Sequence, residues 1–288
     1  MSAAAATSKK DRLTPYTMSN AAVTSAPLVL RETNDAIALL TLNRPEARNS
    51  LSAAMIVALG EAFDAIGRDR AIRAVVLAAN GPTFSAGHDL KEMIATRRSD
   101  PDRGRAFFMQ VITACSEVMQ QIVRLPQPVI AAVHATATAA GCQLVAGCDL
   151  AIASTTARFA TPGVNIGLFC STPMVALSRN VSRKHAMEML LTGDFISAEE
   201  ALRIGLVNRV VAPGSERAEA LALARKIAAK STHVVKIGKQ AFYRQAELDL
   251  AAAYAHASNV MVENMLARDA EEGIAAFVEK RPPTWEDR

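Results

Sequence analysis

The chain has 288 residues, of which 50% are hydrophobic and 21% charged, enough for one large core and an appended subdomain. Its net charge of +4 is spread over scattered Lys and Arg residues, which does not indicate nucleic-acid binding and suits an anionic small ligand. The cysteines show neither CxxC pairing nor a His at zinc spacing, so we expect no metal site and reduced, buried thiols at Cys115, Cys142, Cys148 and Cys170.

The first 26 residues are rich in Ala, Ser and Thr and lack periodicity, which predicts a disordered tail. They contain no apolar segment of a secretory signal, whereas a transit peptide stays an alternative because acidic residues are rare there. No apolar run reaches the ~18 residues of a membrane span, so none is predicted. We expect a cytoplasmic protein if the source is bacterial and a mitochondrial matrix protein if it is eukaryotic.

Short apolar runs separated by Gly and Pro turns recur along the first three quarters of the chain. They predict five strands, at residues 36–42, 73–79, 129–134, 149–153 and 206–211. Apolar residues at helical spacing predict a helix after the cap candidates Asn49, Ser50 and Ser52 and another that ends near Arg124, with an irregular charged segment at 91–105. This alternation favours an α/β fold with parallel βαβ-type layering.

The last quarter of the chain has a helical pattern. A capping box at Ser197 and Glu200 opens a short helix that ends at Gly205, and helices fill most of residues 215–280. We therefore divide the chain into a disordered tail (1–26), a strand-rich core (27–212) and a helical C-terminal part (213–288).

Two segments combine a strand end, small residues around a glycine and a helix start. The first glycine turn is residues 84–90 (FSAGHDL), and the second glycine turn is residues 138–142 (TAAGC). Backbone N–H groups at a helix start have no carbonyl partner, and two of them on one carbonyl oxygen would form an oxyanion hole. Gly-rich turns of this kind also serve packing alone, so their spacing leaves both interpretations open.

Six strings along residues 28–285 resemble the enoyl-CoA hydratase/isomerase, or crotonase, superfamily. They occur in the family's order: LNRPEARNSLS, GPTFSAGHDLKEM, PVIAAVHATATAAGCQLVAGCDLAIAS, ARFATPGVNIGL, LTGDFISAEEALRIGLVNRVV and EGIAAFVEKRPPTW. The resemblance implies a crotonase (ClpP-like) fold, a spiral of ββα units followed by helices that mediate homotrimers, often paired into hexamers. It also implies an acyl-CoA thioester as ligand, with coenzyme A carried by the substrate and no separate cofactor.

The resemblance assigns roles to residues at matching positions. The thioester carbonyl would lie between the backbone N–H groups of His88 and Ala140. A second set would contact coenzyme A, with Arg48 near its phosphates: Arg48, Ala86, His88, Asp89, Leu90, Lys91 and Ala140. Phe277 and Lys280 match a region that covers coenzyme A from a neighbouring subunit.

Two positions depart from the family's hydratases, which use a pair of glutamates to position and deprotonate water. The first glutamate would stand at Gln143 and the second at Gly163. Gln has no proton to exchange near neutral pH, and loss of one acid/base group typically costs about 10²–10⁴ in rate. The usual hydration mechanism is therefore not expected.

Several substitutes for the missing carboxylates stay open. The His88 imidazole titrates near neutrality, and Cys170 or Ser171 lies where relatives such as 4-chlorobenzoyl-CoA dehalogenase carry a catalytic aspartate. A glycine at position 163 leaves room for a bicarbonate base in naphthoate synthases. Asp89 is expected to act as a helix cap, and His134 to be a packing residue. The two functional hypotheses are an acyl-CoA enzyme with non-standard groups and a non-catalytic acyl-CoA carrier or regulator.

Overall fold

A computed structural model describes residues 26–288 and places a six-stranded sheet at the centre of the molecule. Neighbouring strands are parallel except for the antiparallel hairpin β1–β2. In spatial order the strands are β1 (Val29–Asn34), β2 (Ile37–Leu42), β3 (Ala74–Ala79), β4 (Val129–Val133), β6 (Leu150–Ser154) and β9 (Arg209–Val211). The five predicted strands are confirmed, whereas the predicted tail (1–26) lies outside the described residues except for its last residue.

Four strands escaped prediction because they carry little apolar signal. β1 is an edge strand whose last four residues are exposed. The others are only two or three residues long and form a second, small sheet of β5 (Ala137–Thr138), β7 (Arg158–Ala160) and β8 (Ile196–Ser197). This small sheet matters for the site, because β5 leads directly into the second glycine turn.

Eleven α-helices surround the sheets in the described part of the chain. They are α1 (Ala53–Arg68), α2 (Leu90–Ser99), α3 (Arg105–Arg124), α4 (Ala140–Gly147), α5 (Pro173–Asn180), α6 (Arg183–Thr192), α7 (Ala198–Arg203), α8 (Glu216–Ala228), α9 (Thr232–Gln245), α10 (Leu250–Leu266) and α11 (Arg268–Glu279). Two short 3₁₀ helices lie at Pro45–Ala47 and Pro162–Ile166.

The prediction of an irregular segment at 91–105 is wrong for its first half, which forms α2. Asp89 starts this helix, since its carboxylate accepts hydrogen bonds from the N–H groups of Lys91 (3.1 Å) and Glu92 (3.3 Å). The cap expected of Asp89 is therefore confirmed. No residue of α2 is fully buried, so the helix lacks the apolar stripe that would have revealed it.

The core lies on both faces of the large sheet. On one face, α1, α3 and α4 bury a continuous apolar cluster that includes Phe63, Ile122 and Leu144. On the other face, α8 packs through Ala220 and Ala224. A parallel sheet covered on both sides explains why the strands are continuous apolar runs. The predicted boundary between the strand-rich core (27–212) and the helical C-terminal part (213–288) therefore lies before α8, although α8 packs on the large sheet.

The 20-residue helix α3 would pass a test for a membrane span by length and composition alone, with a mean hydropathy of 1.2. The lengths of the apolar runs had predicted no membrane span, so this helix differs from that prediction. The helix is weak evidence for a membrane segment, because a core helix passes the same test. Its residues Val111, Cys115, Val118, Met119 and Ile122 are buried in the core described above.

Helix α9 is attached to the core by a buried ion pair. The Lys239 ammonium contacts the Asp149 carboxylate at 2.7 Å and donates to the carbonyls of Ile122 (2.8 Å) and Gln127 (3.0 Å). The Tyr243 hydroxyl donates to the other Asp149 oxygen at 2.9 Å. These contacts join α9 to the end of α3 and to the segments that enter β4 and β6.

Candidate functional site

The two glycine turns, 54 residues apart in sequence between Gly87 and Gly141, pack directly against each other. Ser85 pairs with Ala137 as a parallel bridge, and the Thr138 N–H donates to the Ser85 carbonyl at 3.0 Å. A Cβ atom at Gly141 would lie 2.3 Å from that carbonyl oxygen, and one at Gly87 would lie 2.9 Å from the Ala139 Cβ. Both glycines are therefore required by the close approach of the two backbones.

The packed turns leave two backbone amides without an acceptor. Within residues 26–288, neither the His88 nor the Ala140 N–H donates to a protein atom, and Ala140 is the first residue of α4. A Cβ at Gly87, one residue before His88, would lie 3.2 Å from the Ala140 nitrogen. Ala139 holds the unusual backbone angles φ 49° and ψ −120°, a strained conformation of the kind that clusters at functional sites.

An ion pair anchors the end of the first glycine turn. The Arg44 guanidinium contacts the buried Asp89 carboxylate at 2.7 Å, and the Ser50 hydroxyl lies 3.2 Å from it. Burial alone would raise the pKa of Asp89, but hydrogen bonds from Arg44, the Glu92 N–H and Ser50 hold it below its usual value. Asp89 thus fixes the end of the turn, and the local sequence pattern did not identify Arg44 as its partner.

Gln143 lies on α4 one turn after Ala140 and is only 4% exposed. Its Oε1 has no hydrogen-bond partner among the described residues. Position 143 therefore carries a buried, neutral amide rather than a carboxylate.

The space beside Gly163 is already filled. A Cβ at this position would lie 2.8 Å from the Leu168 carbonyl oxygen and 2.9 Å from the Cys170 sulfur. The Gly163 N–H donates to the Cys170 thiol, whose pKa is raised by burial and lowered less by that hydrogen bond. This packing places a protonated thiol rather than a carboxylate beside Gly163.

The remaining catalytic alternatives find little support in the geometry. The Ser171 hydroxyl is exposed and donates to the Phe169 carbonyl at 3.3 Å. His134 Nε2 lies 2.7 Å from the Gly81 carbonyl oxygen, within hydrogen-bond distance. The four thiols are free and buried, and burial raises the pKa of Cys115 and of Cys142 to about 12. Among residues 26–288 no cluster of three or more His, Cys, Asp or Glu residues has a geometry fit for a metal ion.

The residues expected to contact coenzyme A stay predictions. Arg48 and Lys91 are exposed near the first glycine turn, and Leu90 is 44% exposed. Phe277 is 85% exposed on α11, and Lys280 ends that helix in a left-handed conformation. The structure thus keeps all five available to a ligand or a neighbouring subunit.

Acidification tests the state of the His88 imidazole, whose Nε2 is buried without a partner and whose pKa is lowered by burial. The unfolded chain therefore takes up a proton at this histidine before the folded chain does. Stability from neutral His88 is present above about pH 6.5 and is lost as pH falls below it, by at most about 1.4 kcal/mol per pH unit. We expect the wild type to lose more unfolding free energy between pH 7.5 and 5.5 than His88→Gln, in urea denaturation. Equal losses would contradict a buried neutral imidazole.

A family model described as enoyl-CoA hydratase/isomerase matches residues 32–288. Among curated relatives, the mitochondrial enoyl-CoA hydratase domain-containing protein 3 of Rattus norvegicus is 48% identical over 251 residues, 87% of this chain and 82% of the relative. Its counterpart from Homo sapiens is 49% identical over 253 residues, with coverages of 87% and 81%.

Solved structures show the same similarity. An enoyl-CoA hydratase from Mycobacterium smegmatis has 55% identity and a TM-score of 0.86, covering 90% of this chain and 99% of that one. Human enoyl-CoA hydratase domain-containing protein 3 has 47% identity and a TM-score of 0.85, with coverages of 90% and 100%. The predicted crotonase-type α/β fold is confirmed.

Proposed function

Because the chain belongs to the enoyl-CoA hydratase/isomerase family, as its resemblance to the crotonase superfamily predicted, we propose that it binds an acyl-CoA thioester at the two glycine turns. The thioester oxygen accepts hydrogen bonds from the N–H groups of His88 and Ala140. The observation that carries this proposal is the direct packing of the two turns with both amides free. Coenzyme A arrives with the substrate, and its anionic phosphates suit the nearby Arg48.

The chemistry available at this site is stabilisation of negative charge on the thioester oxygen. Such preorganised donors act on an enolate or a tetrahedral oxyanion, and removal of one donor costs about 10²–10³ in rate in enzymes that use them. Position 143 carries an amide, and the Cys170 thiol occupies the space beside Gly163, so neither position supplies a carboxylate. We therefore propose that the protein binds acyl-CoA and does not hydrate it by the two-glutamate mechanism. Any catalysis at this site uses groups other than two glutamates.

A panel of 2-enoyl-, 3-hydroxyacyl- and 3-oxoacyl-CoA thioesters, followed by mass spectrometry, tests for an enzyme. Turnover by the wild type above that of a His88→Ala, Gln143→Ala double variant would establish catalysis at this site. Turnover at the level of the double variant for every thioester would exclude a catalytic role for the His88 imidazole and the Gln143 amide.

A non-catalytic acyl-CoA carrier or regulator is the second candidate. It is favoured by the filled space at Gly163, since the pocket wall lacks both the acid/base group and the room for one. Calorimetry should then show saturable binding of butyryl-CoA without any product. Absence of binding would remove both candidates.

Restoring the two glutamates should not by itself restore hydration. In a Gln143→Glu, Gly163→Glu variant, the new Cβ at 163 would overlap the Leu168 carbonyl and the Cys170 sulfur, so the loop must move. We expect crotonyl-CoA hydration, followed by loss of absorbance, to stay at background while butyryl-CoA binding weakens. Hydration by this variant with unchanged binding would show that only the carboxylates were missing.

We also propose assembly into a homotrimer or a dimer of trimers. Helix α10 buries none of its residues within the chain, although it exposes large apolar side chains at Leu250, Tyr254, Met261, Val262, Met265 and Leu266. Light scattering after size exclusion should give a mass three or six times that of the chain. We expect the Met261→Glu, Met265→Glu double variant to have a lower mass. A wild type with the mass of a single chain would refute the assembly.

Localisation follows the source of the chain. The relatives from Rattus norvegicus and Homo sapiens carry "mitochondrial" in their names. We propose the mitochondrial matrix for a eukaryotic source and the cytoplasm for a bacterial one.

A further inference from the structure

The first glycine turn is held in place by the segment of residues 48–51, which we call the clamp segment. The Ala86 N–H donates to the Arg48 carbonyl (3.0 Å), the Leu51 N–H to Gly87 (2.8 Å) and the Asp89 N–H to Leu51 (3.3 Å). The Gly87 N–H lies 3.4 Å from the Ser85 hydroxyl oxygen. The clamp segment and the turn therefore use the amides on both sides of His88 and leave the His88 N–H free.

Asn49 is the residue that connects the clamp segment to the rest of the fold. It is fully buried, and its backbone carbonyl accepts the Ser85 hydroxyl at 2.9 Å. Its side-chain Nδ2 donates to the carbonyls of Asn80 and Thr83, each at 2.8 Å, and its Oδ1 accepts the Arg44 N–H at 2.8 Å. One side chain thus joins the turn after β2, the end of β3 and the entry to the first glycine turn.

The backbone of the clamp segment is strained. Arg48 and Asn49 are consecutive non-glycine residues in the left-handed region, at φ 53° and 48°. Such conformations are unfavourable and persist only where surrounding contacts hold them. Asn tolerates this region better than most residues, and its amide also supplies both donors that the two carbonyls need.

We infer that Asn49 is a positioning residue that sets the His88 N–H against the thioester oxygen, an inference that rests on the proposed function. Asn49 itself touches no substrate in this scheme. Its loss should release the clamp segment, which displaces the His88 amide and also moves Arg48. Movement of Arg48 weakens all coenzyme A ligands alike, whereas loss of the His88 hydrogen bond weakens only ligands that carry a carbonyl.

Asn49→Asp is the sharpest variant, because it keeps the size of the side chain and removes both donors. The Asn80 and Thr83 carbonyls would then face a carboxylate oxygen instead of an amide N–H. Asn49→Gly is the second variant, since glycine adopts the left-handed conformation freely and removes only the side-chain bonds. Asn180→Asp is the matched control, because Asn180 Nδ2 also donates to two carbonyls, of Ala146 at the far end of α4 and of Ala176 on α5.

The test compares butyryl-CoA with S-butyl-CoA, a thioether that lacks the carbonyl oxygen. We expect the wild type and Asn180→Asp to prefer the thioester about 10-fold by calorimetry, as two neutral hydrogen bonds would allow. Both Asn49 variants should lose most of this preference, even where their affinity for S-butyl-CoA also falls. In the Asn49 variants, the carbonyl stretching frequency of bound butyryl-CoA should lie closer to its value in water than it does in the wild type.

Each other result overturns the inference in a distinguishable way. An undiminished preference in the Asn49 variants shows that Asn49 does not position the amide. Equal weakening for both ligands in both variants, or loss of all binding, assigns Asn49 a structural role only. A wild type that binds both ligands equally, or neither, refutes the proposed oxyanion site itself and this inference with it.

Discussion

Gly141→Ala is expected to abolish most thioester binding, because the added Cβ would lie 2.3 Å from the Ser85 carbonyl oxygen and 2.8 Å from the Ser85 Cβ. Gly141 lies within α4, so no unusual backbone angle complicates the substitution. Relief of the overlap requires the two glycine turns to separate, which displaces Ala140 from His88. We expect butyryl-CoA affinity to fall at least ~10-fold, as for loss of two hydrogen bonds, and stability to fall about 1–3 kcal/mol from overpacking.

Gly147→Ala is the matched control on the same helix. A Cβ at Gly147 would meet only the Met119 sulfur at 3.6 Å, an ordinary contact. Alanine is the better helix former by about 0.5–1 kcal/mol, so this variant should bind butyryl-CoA normally and be no less stable than the wild type. If Gly141→Ala bound the thioester as well as Gly147→Ala does, the close approach of the turns would be irrelevant to binding.

Lys239→Met is expected to cause the largest loss of stability. The substitution leaves the Asp149 carboxylate largely buried, with the Tyr243 hydroxyl and the Val129 N–H as its remaining donors. Burial lowers the pKa of Lys239, and the negative charge of Asp149 acts in the opposite direction. Each charge of the buried pair is therefore stabilised by the opposite charge of its partner. Breaking such a pair costs about 3–5 kcal/mol, which urea denaturation would measure.

Two variants separate the ion pair from a general effect on α9. Lys236→Met changes an exposed lysine of the same helix that forms no salt bridge among the described residues, and should stay within about 0.5 kcal/mol of the wild type. Adding Asp149→Asn to Lys239→Met should recover part of the loss, because a neutral amide needs no counter-charge. A double variant less stable than Lys239→Met would contradict this account.

Much of the fold was readable from local patterns. The five buried strands are short apolar runs, and the helices that pack on the sheet repeat apolar residues at helical spacing. Helix α2 was missed because its sequence is charged and its only strong start signal is the Asp89 cap. The strands of the small sheet were missed because two or three residues carry no period.

The sequence by itself determined the parallel α/β layering, the two glycine turns and the absence of carboxylates at Gln143 and Gly163, because these depend on residue type and local spacing. Only the tertiary structure decided that the turns meet, that Cys170 and the Leu168 carbonyl fill the space at Gly163, and that Asn49 ties the first turn to β3. Those contacts join segments far apart in the chain. A pattern of neighbouring residues cannot encode them, since packing of the whole core sets which backbones come within 3 Å.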